Sequence, residues 1–207
     1  MFAVGHLALG YISGKAASKL LSVNVNVPLL FVVSIIADVD LLIPGLEHRG
    51  PTHSLLLYLA LAFPAILVWK KQAIPYLVAF ASHPFLDGYL TSPSVAKGVQ
   101  LFFPLSSTWF SGGSEAALLT YVYAELAIFI AFLMLMLTTR DLAALIKHHP
   151  SNLLLVIPIS TALFPVFLEF PISVPPELLI PHLVLLFLLV LSVLIDITHL
   201  MRRYCRF

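Results

Sequence analysis

Imidazole and carboxylate groups recur in the first half of this chain at spacings that suit a divalent metal. His83 and Asp87, in "ASHPFLDGYLTSP", stand four apart, so on a helix both face one point. That ligand mix serves zinc and other divalent first-row metals. Asp38 and Asp40, in "IIADVDLLIPG", stand two apart, roughly 200° around an ideal helix. They can act together only if the helix loosens there, and Pro44 with Gly45 marks an ending nearby. One of the pair would then ligate while the other bridges a second metal, orients a histidine or, as Asp40, acts as general base. His48 and His53 flank a turn that "RGP" encourages, with Thr52 placed to cap the helix that follows. His6 completes a ligand set of His6, Asp38, Asp40, His48, His53, His83 and Asp87. A metal held there would lower the pKa of a bound water toward about 7 and polarise a phosphoryl or carbonyl oxygen. Arg49 can clamp a phosphate through paired hydrogen bonds, its plainer role being a salt bridge to Glu47. Thr91, Ser92, Lys97 and Gly98 form a polar loop beside Asp87 that could bind a headgroup.

The elements that must position these groups are membrane helices. Of 207 residues, 60% are hydrophobic and 10% charged, whereas soluble domains carry about 25% charged residues. Mean hydropathy is +1.03. The expected fold is all-α: a polytopic transmembrane bundle of six or seven spans with the metal site near one membrane face. Segments approaching the roughly 17–25 apolar residues a span needs lie at 2–22, 27–45, 53–69, 73–90, 115–138, 151–168 and 177–200. The first is weakest, since it carries Gly5, Gly10, Gly14, Lys15 and Lys19. Basic residues favour the cytoplasmic side. Lys15, Lys19, Lys70, Lys71, Arg140, Lys147, Arg202, Arg203 and Arg206 all fall on one side of such a bundle, against Arg49 and Lys97 on the other. The expected topology is therefore N-out and C-in, with the polar cluster at the extracytoplasmic face. Four segments of alternating direction bring their costly ionisable groups to one depth, and such residues mark function.

The remaining polar residues divide unevenly. His148 and His149 are expected in a solvated inner loop, and Asp196 and His199 in a local hydrogen bond. His182 is a possible late contributor to the site, and Glu125 a partner for a ligating histidine. The single cysteine, Cys205, excludes an intramolecular disulfide and a multi-thiolate zinc site. A net charge of +1 leaves no basic face for nucleic acid. No basic stretch precedes the first apolar segment, so a cleaved signal peptide is not expected. One domain, 1–207, is expected, with residues 1–110 carrying the motifs and 111–207 forming a lipid-facing wall and part of a substrate groove.

"VGHLALG", "ADVDLLIPGLEHRGPTHSLL" and "SHPFLDGYLTSPSVAKGVQLFFPLS" resemble, in order and across residues 5–106, the signature of the YdjM-like membrane-bound metal-dependent hydrolases, also described as LexA-binding and inner-membrane-associated. A looser similarity links the order His, Asp, His, H-x-x-x-D to zinc-dependent phospholipase C and related helical nucleases. That resemblance implies His6, Asp38 or Asp40, His53, His83 and Asp87 as ligands. No second H-x-x-x-E/D pair follows downstream and there is no N-terminal tryptophan, so one or two ions are expected, zinc first and manganese second. The implied activity is hydrolysis of a phosphoester on a phospholipid or lipid-linked phosphate. A divalent-metal transporter or channel is the alternative, as is a metal-stabilised scaffold without turnover. Transport favours midplane sites, broken helices and repeats, and no repeat is visible.

Overall fold

The computed structural model describes residues 2–90, 97–112, 118–167 and 174–204, and among them the chain is helical apart from one isolated bridge, Val99–Phe110. The order is α1 (Ala3–Leu20), α2 (Val27–Ile35), α3 (Leu55–Trp69), α4 (Ile74–Tyr89), α5 (Leu118–Thr138), α6 (Asp141–Leu145), α7 (Val156–Phe167) and α8 (Pro176–Tyr204). Short 3₁₀ stretches at Ile36–Leu42, Pro51–His53, Lys70–Gln72 and Pro150–Leu155 join them.

The weakest candidate span is the central helix. α1 packs against α4, α2 and α5, and its small residues explain why. A methyl added to Gly10 would land on the Oγ of Ser34, and one on Gly14 would sit 2.6 Å from Leu30 Cδ2. Missing side chains let backbones approach closely where apolar burial gives little drive, as between membrane helices. Around this contact Tyr11, Phe31 and Phe132 interlock, with ring centroids 5.3 to 6.0 Å apart. Met136 of α5 and Leu189 of α8 close the same core.

Asn26 starts α2 by accepting from Leu29 N, with Pro28 in the first turn. The helix then stops at Ile35, and a 3₁₀ stretch carries Asp38 and Asp40. The loosening that the Asp38–Asp40 spacing required is thus present. α3 is capped by Ser54, not by Thr52: the Ser54 hydroxyl accepts from Leu56 N and Leu57 N. The Thr52 expectation fails because the chain spends Pro51–His53 in a 3₁₀ turn before α3 begins. Leu55 N then bonds Leu101 O, tying the start of α3 to the loop of residues 97–112.

Among the described residues, three helices are long and apolar enough to cross a membrane: Leu55–Gln72, Thr120–Thr138 and Pro176–Arg203. The six or seven expected spans are met only to that extent. α2 alone is nine residues, about 14 Å at 1.5 Å per residue. On α3, Leu59, Leu61, Phe63 and Leu67 are exposed, and only Tyr58 and Ala62 are buried.

Lys15 Nζ meets Asp141 at 2.6 Å, and the Tyr11 hydroxyl donates to the same carboxylate. His148 is not simply solvated, because its Nδ1 donates to the buried Asp196 at 2.7 Å. His199 does not bond Asp196; it stacks on His148 with centroids 3.7 Å apart.

Candidate metal centre

Four residues from three elements converge on one buried point. Asp38 comes from the 3₁₀ stretch after α2, His53 from the turn before α3, and His83 and Asp87 from α4. All four are buried, Asp38 most exposed at 6%. Asp38 Oδ1 lies 3.1 Å from His83 Nε2 and 3.5 Å from His53 Nε2. Asp87 Oδ2 lies 3.4 Å from His53 Nε2 and 3.8 Å from His83 Nε2.

Hydrogen bonds behind the rings fix what they present. His83 Nδ1 donates to the carbonyl of Ser34 at 2.6 Å, which leaves Nε2 as the ring atom facing the centre, where it would ligate a metal in its unprotonated form. Thr52 donates its hydroxyl to Asp40 Oδ2 at 2.7 Å, which leaves its oxygen to accept from His53 Nδ1 at 3.1 Å. His53 therefore also turns its Nε2 to the centre, 3.2 Å from that of His83. Two carboxylates and two ring nitrogens packed this closely need positive charge between them, which a metal cation would supply. A tetrahedral shell with bonds of about 2.0–2.2 Å places its ligand atoms about 3.3–3.6 Å apart. The donor set fits a divalent metal in number, type and spacing.

Asp40 serves a different purpose. Its Oδ1 accepts from His48 Nδ1 at 3.0 Å, and its Oδ2 accepts from Arg49 N at 3.1 Å and from Thr52. Asp40, His48 and His53 make a second group whose donor atoms lie within 4.8 Å of one another. Here Asp40 orients both histidines while His53 links the two groups. His6 is brought in by α1: its Nε2 lies 3.2 Å from Asp87 Oδ1, and its ring stacks on His83 at 3.7 Å. Its Nδ1 is buried without a partner.

Arg49 is buried and does not pair with Glu47. Its Nη2 lies 3.1 Å from Asp87 Oδ1, while Nε and Nη1 have no partner. The residue sits at φ +65°, where its N–H reaches Asp40 and its carbonyl accepts from Gln100 N. Glu47 pairs with Lys97 instead, at 3.3 Å. Lys97, expected to bind a headgroup, is exposed and lies 5.5 Å over the Trp109 ring, outside the cluster. Thr91 and Ser92 lie outside the described residues, as do Glu169 and Cys205. His182 stays away from the centre and donates to Leu178 O. Glu125 does not support a ligating histidine; it accepts from Phe2 N at 3.1 Å with both oxygens.

The model for the YdjM inner membrane protein family matches residues 1–200. The chain belongs to that family. Its membership covers α1 through most of α8, so the YdjM family assignment extends over the apolar second half, where motifs alone were silent. This YdjM family member carries buried histidine and aspartate groups that could hold a metal ion. No curated protein and no solved structure matches the chain. Sequence reasoning missed Ser34, whose carbonyl holds His83. A lone serine within "FVVSIIA" was the available signal.

Proposed function

We propose that this YdjM family member is a membrane-embedded, metal-dependent hydrolase that cleaves a phosphoester on a phospholipid or lipid-linked phosphate at the extracytoplasmic face. The observation that carries the reading is the convergence of four inward donors, from Asp38, His53, His83 and Asp87, beside the unpartnered edge of Arg49. One or two ions, zinc first and manganese second, would be held by these residues, with Asp40 and His48 as the second group. The metal when bound would supply Lewis acidity and a water acidified toward about pKa 7. Arg49, already anchored on Asp87 through Nη2, has Nε and Nη1 left to donate to phosphate oxygens. Asp40 already accepts from three donors, His48, Arg49 N and Thr52, which hold it in place beside the two histidines. We therefore assign it to orienting His48 and His53. His6, with its buried Nδ1, is the better candidate to exchange a proton at the site. The lipid nature of the substrate rests on the long apolar helices that hold the site within a membrane.

Metal content per chain is the first test, read by elemental mass spectrometry on wild type, His83→Ala and Asp87→Asn, followed by headgroup release from phospholipid vesicles. About one or two equivalents in wild type, lost in both variants, with cleavage abolished, supports the hydrolase. Arg49→Lys should keep the metal and slow cleavage, because lysine cannot reproduce the paired donors. Bound metal with no cleavage of any phospholipid in the panel would favour a structural ion, which the burial of all four donors also suits.

A further inference from the structure

An apolar groove of about 510 Å³ lies between α2, α3 and α4, lined chiefly by Leu29, Val33, Ala65, Trp69, Leu77 and Phe80. Its volume falls within the roughly 300–1,000 Å³ of ligand sites. At one end it reaches Asn24 and Gln72, on the side of the molecule away from the metal centre. At the other end Phe80 stacks on Tyr58, with centroids 3.6 Å apart and planes at 21°. Tyr58 is 4% exposed, and its buried hydroxyl has no hydrogen-bond partner. Tyr58 N bonds the carbonyl of Ser54, the residue after His53, and Phe80 stands one turn before His83 on α4. The stacked pair thus has the groove on one side and the metal centre on the other.

We infer that the groove seats one hydrocarbon chain of a membrane lipid, with the Tyr58–Phe80 pair at the junction between that chain and the metal centre. The occupant follows from size and depth. Two turns of a helix, about 11 Å across and about 11 Å long, need roughly twice this volume, so a helical segment does not fit. The groove lies beside α3, part of the spanning stretch Leu55–Gln72, where the surrounding medium is lipid tails. The outer face of α3, with Leu59 and Phe63 exposed, meets the same medium without any concavity to hold one chain in place. Continuity through Tyr58 distinguishes the groove from that outer face. The inference rests on the reading of the centre as one that handles a lipid headgroup, and it places the tail of that same molecule. It also moves the expected substrate groove from residues 111–207 to α2, α3 and α4.

The test needs no turnover. The full chain is reconstituted in phosphatidylcholine–phosphatidylglycerol vesicles with a trace of phospholipid carrying a diazirine in mid-chain, irradiated, and its adducts mapped by mass spectrometry. Adducts should concentrate on Leu77 and Phe80 above Leu59 and Phe63. Leu77→Trp, which fills the groove, should lose the groove adducts while keeping those on Leu59 and the metal content of wild type. If Leu77→Trp fails to keep its metal, Ala65→Leu fills the groove from the opposite wall and is read the same way. Equal labelling of groove and outer face, or groove labelling that survives a filled groove, overturns the proposal. Groove labelling without lipid cleavage would leave the chain seat standing and remove the hydrolase. Cleavage without groove labelling would do the reverse.

Discussion

Asp38 and Asp40 differ by one intervening residue and by everything around them. Asp38 Oδ1 faces the Nε2 atoms of His53 and His83, whereas both oxygens of Asp40 are engaged by His48, Arg49 N and Thr52. Asp38→Asn should therefore abolish tight metal binding. Asp40→Asn should weaken it about 10–100-fold, the usual effect of losing a group that orients a ligating histidine. Competition against a chromogenic chelator reads both, and equal losses would make Asp40 a ligand in its own right. His83 and Asp87 were legible from sequence because helical geometry fixes a four-residue spacing without outside help. The roles within the Asp38–Asp40 pair were not legible, because they depend on Thr52 and Arg49 arriving from another turn. Arg49 likewise found Asp87, not its sequence neighbour Glu47, because it is buried among the carboxylates while Glu47 is exposed.

At the level of elements, α3 depends on one serine. Ser54 accepts from Leu56 N and Leu57 N, and its hydroxyl donates to Phe103 O at 2.5 Å. It joins the cap of an outward-facing apolar helix to the loop of residues 97–112. Ser54→Ala should cost about 1–2 kcal/mol, the effect of losing a cap, seen as a lower melting temperature in detergent. An unchanged melt would mean that Leu55 N on Leu101 O suffices to hold the junction. The long apolar helices α5 and α8 were plain in the sequence, since unbroken hydropathy is itself the signal. α1 was the least certain candidate and turned out central. Its glycines weaken a hydropathy profile but permit close approach, and hydropathy carries no information about which helix lies in the middle. Thr52 looked like a cap because a β-hydroxyl before an apolar run usually is one. The 3₁₀ turn at Pro51–His53 moved the helix start by two residues.

For the whole molecule, a cation between Asp38, His53, His83 and Asp87 ties α2, α3 and α4 together at one end. Removing it should lower stability by about 2.7 kcal/mol at a metal concentration one hundred times Kd. For a chain of this size that corresponds to a fall of about 5–11 °C. Thermal melts with and without a membrane-permeant chelator measure it, and an unchanged melting temperature would show that the helices need no cation to stay together. The other end is held by different chemistry, the Lys15–Asp141–Tyr11 contact and the His148–Asp196 pair. Ser34 connects packing to chemistry: its side chain fills the space above Gly10, and its carbonyl holds His83 Nδ1. In a library of single substitutions scored by metal retention, position 10 should tolerate no more than position 83, although glycine has nothing with which to bind a metal. Tolerance of alanine at position 10 would show that the α1–α2 contact has slack. Without slack, purifying selection on this protein would extend to a single hydrogen atom, guarded because a methyl group in its place would be felt at an imidazole two helices away.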